Sequence, residues 1–362
     1  MQMNPLVGAA CLALLSACAT APSAVSPPSG AATPAVDAVI AEAWISTETP
    51  SEELDSLAVW PAPDGRTLLI ASGKSSNALS VYDGDTGDRL RTVGGPGQGP
   101  LQFNRPNGVA IFGDLLFVVE RDNRRVQVLQ LPGFEHLHSF GQDVLQVPYG
   151  LWLHETAPGV LELFVTDSFM ADYRTRELPP MRLLDQRVKR FEVRLGADGG
   201  VEPRYLGSFG DLGAAGALRM VESIAGDPAN DRLMIAEEDR RVGSTLRAYT
   251  LDGRYSGRSL PVFTADAEGV ALWACDANEG YWIAVDQLRP TVFRMFDRRS
   301  LEPLKTFSGE QVADTDGLAL HAAGTARFPA GALYTLQDDK AIAAFDLMDV
   351  ARALGLSEQC VR

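Results

Sequence analysis

Six copies of one short word organise this chain. "DAEGVAL" runs from Asp266 to Leu272, and "DTDGLAL" runs from Asp314 to Leu320. Weaker relatives read "LDSLAVW", "RPNGVAIF", "VPYGLWL" and "MVESIAG". A Ser or Gly falls at 56, 108, 150, 223, 269 and 317, so the spacings are 52, 42, 73, 46 and 48 residues. One unit of about fifty residues repeats, with an insertion in the third. Each word opens a plan of short strands. The second strands are "TLLIAS", "LLFVVE", "LELFVT", "RLMIAEE", "YWIAVDQ" and "ALYTLQD". Third strands follow, as in "ALSVYD" and "TVFRMFD", and several units add a fourth, such as "RLRTVGG" and "PLKTFSG". Runs of four to seven β-branched and aromatic residues between Gly/Asp turns read as all-β. Four strands per unit at this period give propeller blades. The fold expected is a six-bladed β-propeller over 39–362.

The sixth unit lacks an outer strand, and "AEAWISTET" (41–49) is expected to provide it from the other end of the chain, protecting the sheet edge. "LMDVARALG" (347–355) is the expected helix. The insertion at 168–187 is too long and polar for a hairpin and is expected to form a loop over one face. Ahead of the repeat, residues 5–17 form an apolar run too short to span a bilayer, ending in "LSAC". This pattern reads as a signal peptide (1–17) with lipid attached at Cys18. A Pro- and Ala-rich tether is expected to reach residue 38. The localisation implied is the cell envelope, with the chain lipid-anchored, at the outer membrane, or secreted. Cys275 and Cys360 remain, and in an oxidising compartment they are candidates to pair.

Among 362 residues the net charge is −15, which disfavours a nucleic-acid partner. The residue before each small one is Asp55, Asn107, Tyr149, Glu222, Glu268 or Asp316. In a propeller the first strands line the channel, so these side chains should meet at one mouth. Alternation along a strand adds Asp266 beside Glu268, Asp314 beside Asp316, and Glu53 beside Asp55. Second strands add Glu237, Glu238, Asp239, Asp286, Gln287, Gln337, Asp338 and Asp339. Converging carboxylates raise one another's pKa unless a cation neutralises them. An oxygen-only donor set suits Ca²⁺ rather than Zn²⁺. Lys74, Arg121, Arg240, Arg241 and Arg289 follow second strands and could clamp a polyanion together with calcium. "SGKSS" is not a P-loop, no Gly-x-Ser-x-Gly elbow occurs, and His136 and His138 have no second metal-ligating pair.

"IAEED", "DAEGVAL", "VDQ" and "DTDGLAL", in this order, resemble the β-propeller phytases, most strongly over 218–340. Blade two departs and looks like an NHL-type repeat. The resemblance implies a secreted, calcium-dependent phosphomonoesterase acting on myo-inositol hexakisphosphate (phytate), of the 3-phytase type. It implies several Ca²⁺ ions, held by Asp55, Tyr149, Glu222, Glu237, Asp266, Glu268, Gln287 and Asp316. Glu237, Asp266 and Glu268 are the catalytic candidates it implies, with Glu237 as base or ligand. Lys74, Arg121 and Arg240 are the candidate phosphate contacts. A Lys-Glu pair of the family is replaced by Asp167-Ser168, and Arg174 or Arg176 from the insertion could substitute. The expected form is a monomer touching the membrane only through its N-terminal lipid. The alternatives are a non-catalytic NHL-like binding propeller and a calcium-dependent lactonase, although a lactonase generally needs fewer acids.

Overall fold

A computed structural model describes residues 34–197 and 199–361. The signal peptide, Cys18 and most of the tether lie outside these residues.

The described residues form a six-bladed β-propeller. Blade one is Leu54–Pro61, Thr67–Gly73, Ala78–Asp83 and Arg89–Val93, counted from the channel outward. Blades two, three and four repeat the same antiparallel meander from Pro106, Pro148 and Val221. Blade five starts at Ala267 and blade six at Leu318. Each inner strand neighbours the next, and the sixth neighbours the first. Second strands are buried on both faces, as in "TLLIASG", while outer strands such as "RLRTV" face water.

The core is divided among the blade interfaces. Trp60, Leu68 and Ile70 pack on Val109, Leu116 and Val118 between blades one and two. Trp273, Ile283 and Phe293 pack on Leu333, Ala343 and Phe345 between blades five and six. Four similar clusters fill the other interfaces. Burying one such side chain contributes about 1.5–3 kcal/mol, so each sheet depends on its neighbours.

The N-terminal segment closes the ring, as expected, but over a shorter span. Trp44–Ile45 pairs antiparallel with Ala341–Asp346 as the outer strand of blade six. Sequence reading missed a second contact: Ala38–Ile40 adds a parallel fifth strand to blade five, beside Pro303–Gly309. The expected helix is Leu347–Leu354. Asp346 caps it by accepting from Met348 N, and Gly355 ends it at φ 63°. Its buried residues, Leu347, Val350, Ala351 and Leu354, recur at helical spacing on one face. A disulfide joins Cys275 to Cys360, just beyond the helix.

Candidate metal centre at the channel mouth

The repeated word has a steric cause. A Cβ on Gly108 would lie 2.6 Å from Tyr149 O, and one on Gly150 would lie 2.5 Å from Glu222 O. A Cβ on Gly269 would lie 2.8 Å from Asp316 O, and one on Gly317 would lie 2.7 Å from Asp55 O. Each of these glycines is therefore pressed against the backbone of the following blade's inner strand. The residue before it is also set apart. Register breaks between Leu54 and Leu57, Pro106 and Val109, Pro148 and Leu151, Val221 and Ile224, and Ala267 and Val270. A bulge thus sits on this dipeptide in five inner strands, with an acid ahead of the small residue in three of them. Bulges leave residues unpaired and re-aim side chains. In blade six, Asp316 and Gly317 precede the strand.

Asp55, Tyr149, Glu222, Glu268 and Asp316 line one pocket with Ser56, Gly108, Gly150, Ser223 and Gly317. Asn107 is almost fully buried and is not among the lining residues. The pocket volume is ≈ 40 Å³, and a water needs about 10–15 Å³ on this measure. The pocket therefore has room for ions and a few waters, not for a large organic molecule. Glu222, Glu238 and Glu268 each point a carboxylate oxygen into a set within 4.8 Å of one another.

Glu238 replaces Glu237 in this set. Glu237 is fully buried and accepts backbone N–H bonds from Arg219, from Met220 at 3.1 Å and from Asp239 at 3.0 Å. Its carboxylate fastens the approach to its own inner strand, so the assignment as ligand and base is corrected. The same clamp recurs. Asp167 accepts from Gln146 and Val147, Asp286 from Thr264 and Ala265, Glu120 from Asn104, and Gln337 from Ala313. In three of these blades the next residue reaches the mouth instead: Glu238 in the carboxylate set, Gln287 on Asp316 and Arg121 beside Tyr149.

The basic residues are already engaged. Lys74 Nζ bridges Asp55 at 2.9 Å and Asp316 at 3.1 Å. The expected phosphate contact is thus engaged as a counter-ion inside the acid ring. Despite burial, the charges of Asp55 and Asp316 raise its pKa well above the usual lysine value. Gln287 donates its amide N–H to Asp316. Arg240 grips Asp266 in a fork, with Nη2 to Oδ2 at 2.7 Å, at the exposed rim. Asp266 is thus a rim residue, outside the set around Glu238. Glu53 accepts from Ser75 and faces Arg105. Arg289 joins Asp314 to Asp338. Arg121 is held by Asp122 at 2.7 Å and by Tyr149.

Burial, followed by the Asp55 charge, pushes Glu222 up to about 8. Burial and the neighbouring acids Glu222 and Glu268 push Glu238 far above the carboxylate range. Glu268 and Asp316 are raised chiefly by burial, and Asp339 is pushed up to about 8 by burial and Asp316. Glu238 Oε1 and Asp339 Oδ1 are buried without a hydrogen-bond partner among the described residues. A buried carboxylate oxygen with no donor is costly. Hard oxygen donors with vacant lone pairs fit a calcium ion.

No protein-family model matches the chain, and no curated protein matches it. Among solved structures it is similar to hydrazine synthase from Kuenenia stuttgartiensis. The TM-score is 0.50 at 11% identity, covering 86% of this chain and 82% of that one. At this identity the likeness speaks to the fold alone. Among the described residues, no helix is long and apolar enough to cross a membrane.

Proposed function

We propose that the channel mouth is a Ca²⁺ centre and that the protein is a calcium-dependent phosphomonoesterase acting on phytate. The unpartnered Glu238 Oε1, inside the Glu222–Glu238–Glu268 set, is the observation that carries this reading. Asp55, Glu222, Glu238, Glu268 and Asp316 would hold the ions. Bound calcium would neutralise phosphate charge and act as a Lewis acid on a phosphoryl oxygen. The chain's own residues then position the ester. The pocket is too small for an inositol ring, so the substrate would rest on the rim. There Arg121 spends two guanidinium donors on Asp122 and meets Tyr149. Of five donors, some remain for an anion.

A second reading, a binding propeller without turnover, draws support from Lys74. Its ammonium is occupied by two carboxylates and offers little to a phosphate. One experiment separates the two readings. Full-length protein with calcium should release inorganic phosphate from phytate, and excess EGTA should abolish release. Phosphate release that persists in EGTA rules out the calcium-dependent reading. No release with calcium present rules out the hydrolase.

A further inference from the structure

A slot on the outer wall, between blades two and three, shares no lining residue with the mouth and has no role yet. Its volume is ≈ 150 Å³. A water needs about 10–15 Å³ on this measure, so the slot takes a group of several heavy atoms. Phe140 ends the outer strand of blade two, Glu135–Phe140. Phe191 and Tyr205 pair across the two outer strands of blade three, Val188–Leu195 and Val201–Phe209. All three rings line the slot. The Phe191 ring centre is 5.1 Å from Phe140 at 65° and 5.5 Å from Tyr205 at 55°. The rings thus stand at angles to one another, as floor and walls rather than as a stack. Phe140 and Phe191 are buried, whereas Tyr205 is 40% exposed and stands at the opening.

The same three positions recur one blade on, and there they are covered. Phe209, Tyr249 and Tyr255 repeat Phe140, Phe191 and Tyr205 in register, with successive ring centres 5.7 and 5.6 Å apart. The Tyr249 hydroxyl accepts from Asp211 N at 3.0 Å and donates to Gly216 O at 2.5 Å. It thereby pins the loop at 210–220 onto the rings, and a Cβ on Gly216 would lie 2.6 Å from the Tyr255 ring. Phe191 has no hydroxyl to do this. The corresponding loop at 141–147 is shorter and folds on itself, with Val144 N and Leu145 N both donating to Gly141 O. The aromatic faces below it stay open. Asp143, exposed on that loop, is the charged residue of the lining, and its carboxylate has no hydrogen bond or ion pair among the described residues. Lys189 lies two residues before Phe191, on the same face of its strand. It turns to Asp167 at 3.8 Å and does not line the slot.

The slot therefore joins aromatic faces to one unpaired negative charge. Such faces attract a cation, most strongly where water is excluded. A primary ammonium or a guanidinium would leave N–H donors unpaired against the rings. A quaternary ammonium has none to satisfy, and its methyl groups bury apolar surface. We propose that this slot binds a small quaternary ammonium compound, its methyl groups on Phe140, Phe191 and Tyr205 and its charge toward Asp143. The net charge of −15 favours a free solute over a headgroup in an anionic lipid surface. The inference stands independently of the proposed function. Full-length protein in millimolar calcium, which competes for the acid mouth, should be titrated calorimetrically with choline and with its uncharged isostere 3,3-dimethylbutan-1-ol. Choline should bind saturably, and the isostere about tenfold more weakly. Tyr205→Leu keeps an apolar wall without a π face at an exposed position. It should weaken choline about fivefold or more and melt like wild type. Asp143→Asn should weaken choline about two- to fivefold and leave the isostere unchanged. Absence of saturable choline binding, or equal choline affinity in wild type and Tyr205→Leu, overturns the proposal. Equal affinity for choline and the isostere reduces the slot to an apolar cleft and overturns it as well. Capture of phosphatidylcholine vesicles without binding of free choline overturns the free solute in favour of a lipid head.

Discussion

Glu237 and Glu238 are adjacent, yet their carboxylates do opposite work. Glu237 accepts three backbone N–H bonds, whereas Glu238 reaches the mouth with one oxygen unpartnered. Glu238→Gln should weaken calcium binding by about tenfold or more, because a charged ligand is lost. Glu237→Gln should instead lower unfolding stability by about 1–3 kcal/mol, with a smaller effect on calcium. Calorimetry and thermal melting separate the two variants, and the reverse pattern would restore Glu237 as the ligand. The resemblance put Glu237 rather than Glu238 among the ligands, and "AEED" alone does not show that the strand ends at Glu237. The signal was nevertheless present. Glu120, Asp167, Glu237, Asp286 and Gln337 all close second strands, and five polar residues at one structural position suggest a clamp. Lys74 was placed at the mouth as a candidate phosphate contact. Sequence shows that it is near acids, not that two of them hold it. Lys74→Met should destabilise the calcium-free fold by about 3–5 kcal/mol, the usual cost of breaking a buried pair. It should also tighten calcium binding, because one competing cation is gone. Weaker binding would mean that Lys74 supports the site.

At the scale of the strand, the bulged dipeptide links fold to site. The small residue lets inner strands approach, and the bulge turns the preceding side chain toward the axis. Gly150→Ala puts a Cβ 2.5 Å from Glu222 O, so blades three and four must shift. Overpacking of this kind costs about 1–3 kcal/mol, and displacing Glu222 should weaken calcium binding as well. A variant that melts and binds calcium like wild type would separate the repeat from the site. This element was the most legible in the sequence, because the small residue recurs in all six units and an acid precedes it in four. The strand Ala38–Ile40 was illegible for the opposite reason. It is three residues long, pairs once, and follows a segment without periodicity.

For the whole molecule, a ring of acids gives the fold a dependence on pH and calcium. Glu222 and Asp339 are pushed from ordinary values of 4.5 and 3.8 up to about 8. Both hold protons more tightly when folded than when unfolded. The calcium-free fold therefore keeps this stability below the ordinary values and loses it as the pH rises through about 8. Calcium binds the ionised form, so its stabilising effect should grow over the same window. At about 100 times its Kd a ligand adds about 2.7 kcal/mol. The calcium-induced rise in Tm should be small at about pH 5 and several degrees at about pH 8. A rise independent of pH would place calcium away from these carboxylates. The propeller and its mouth followed from the repeat, while ion pairing inside the mouth depended on side-chain partners up to 242 residues apart. The central claim is tested most directly by calcium titration of chelator-stripped, full-length protein near pH 8, comparing wild type with Glu222→Gln/Glu268→Gln. Saturable binding in the wild type that is lost in the variant is the predicted result. Absence of binding at millimolar calcium, or equal binding by both proteins, would contradict it.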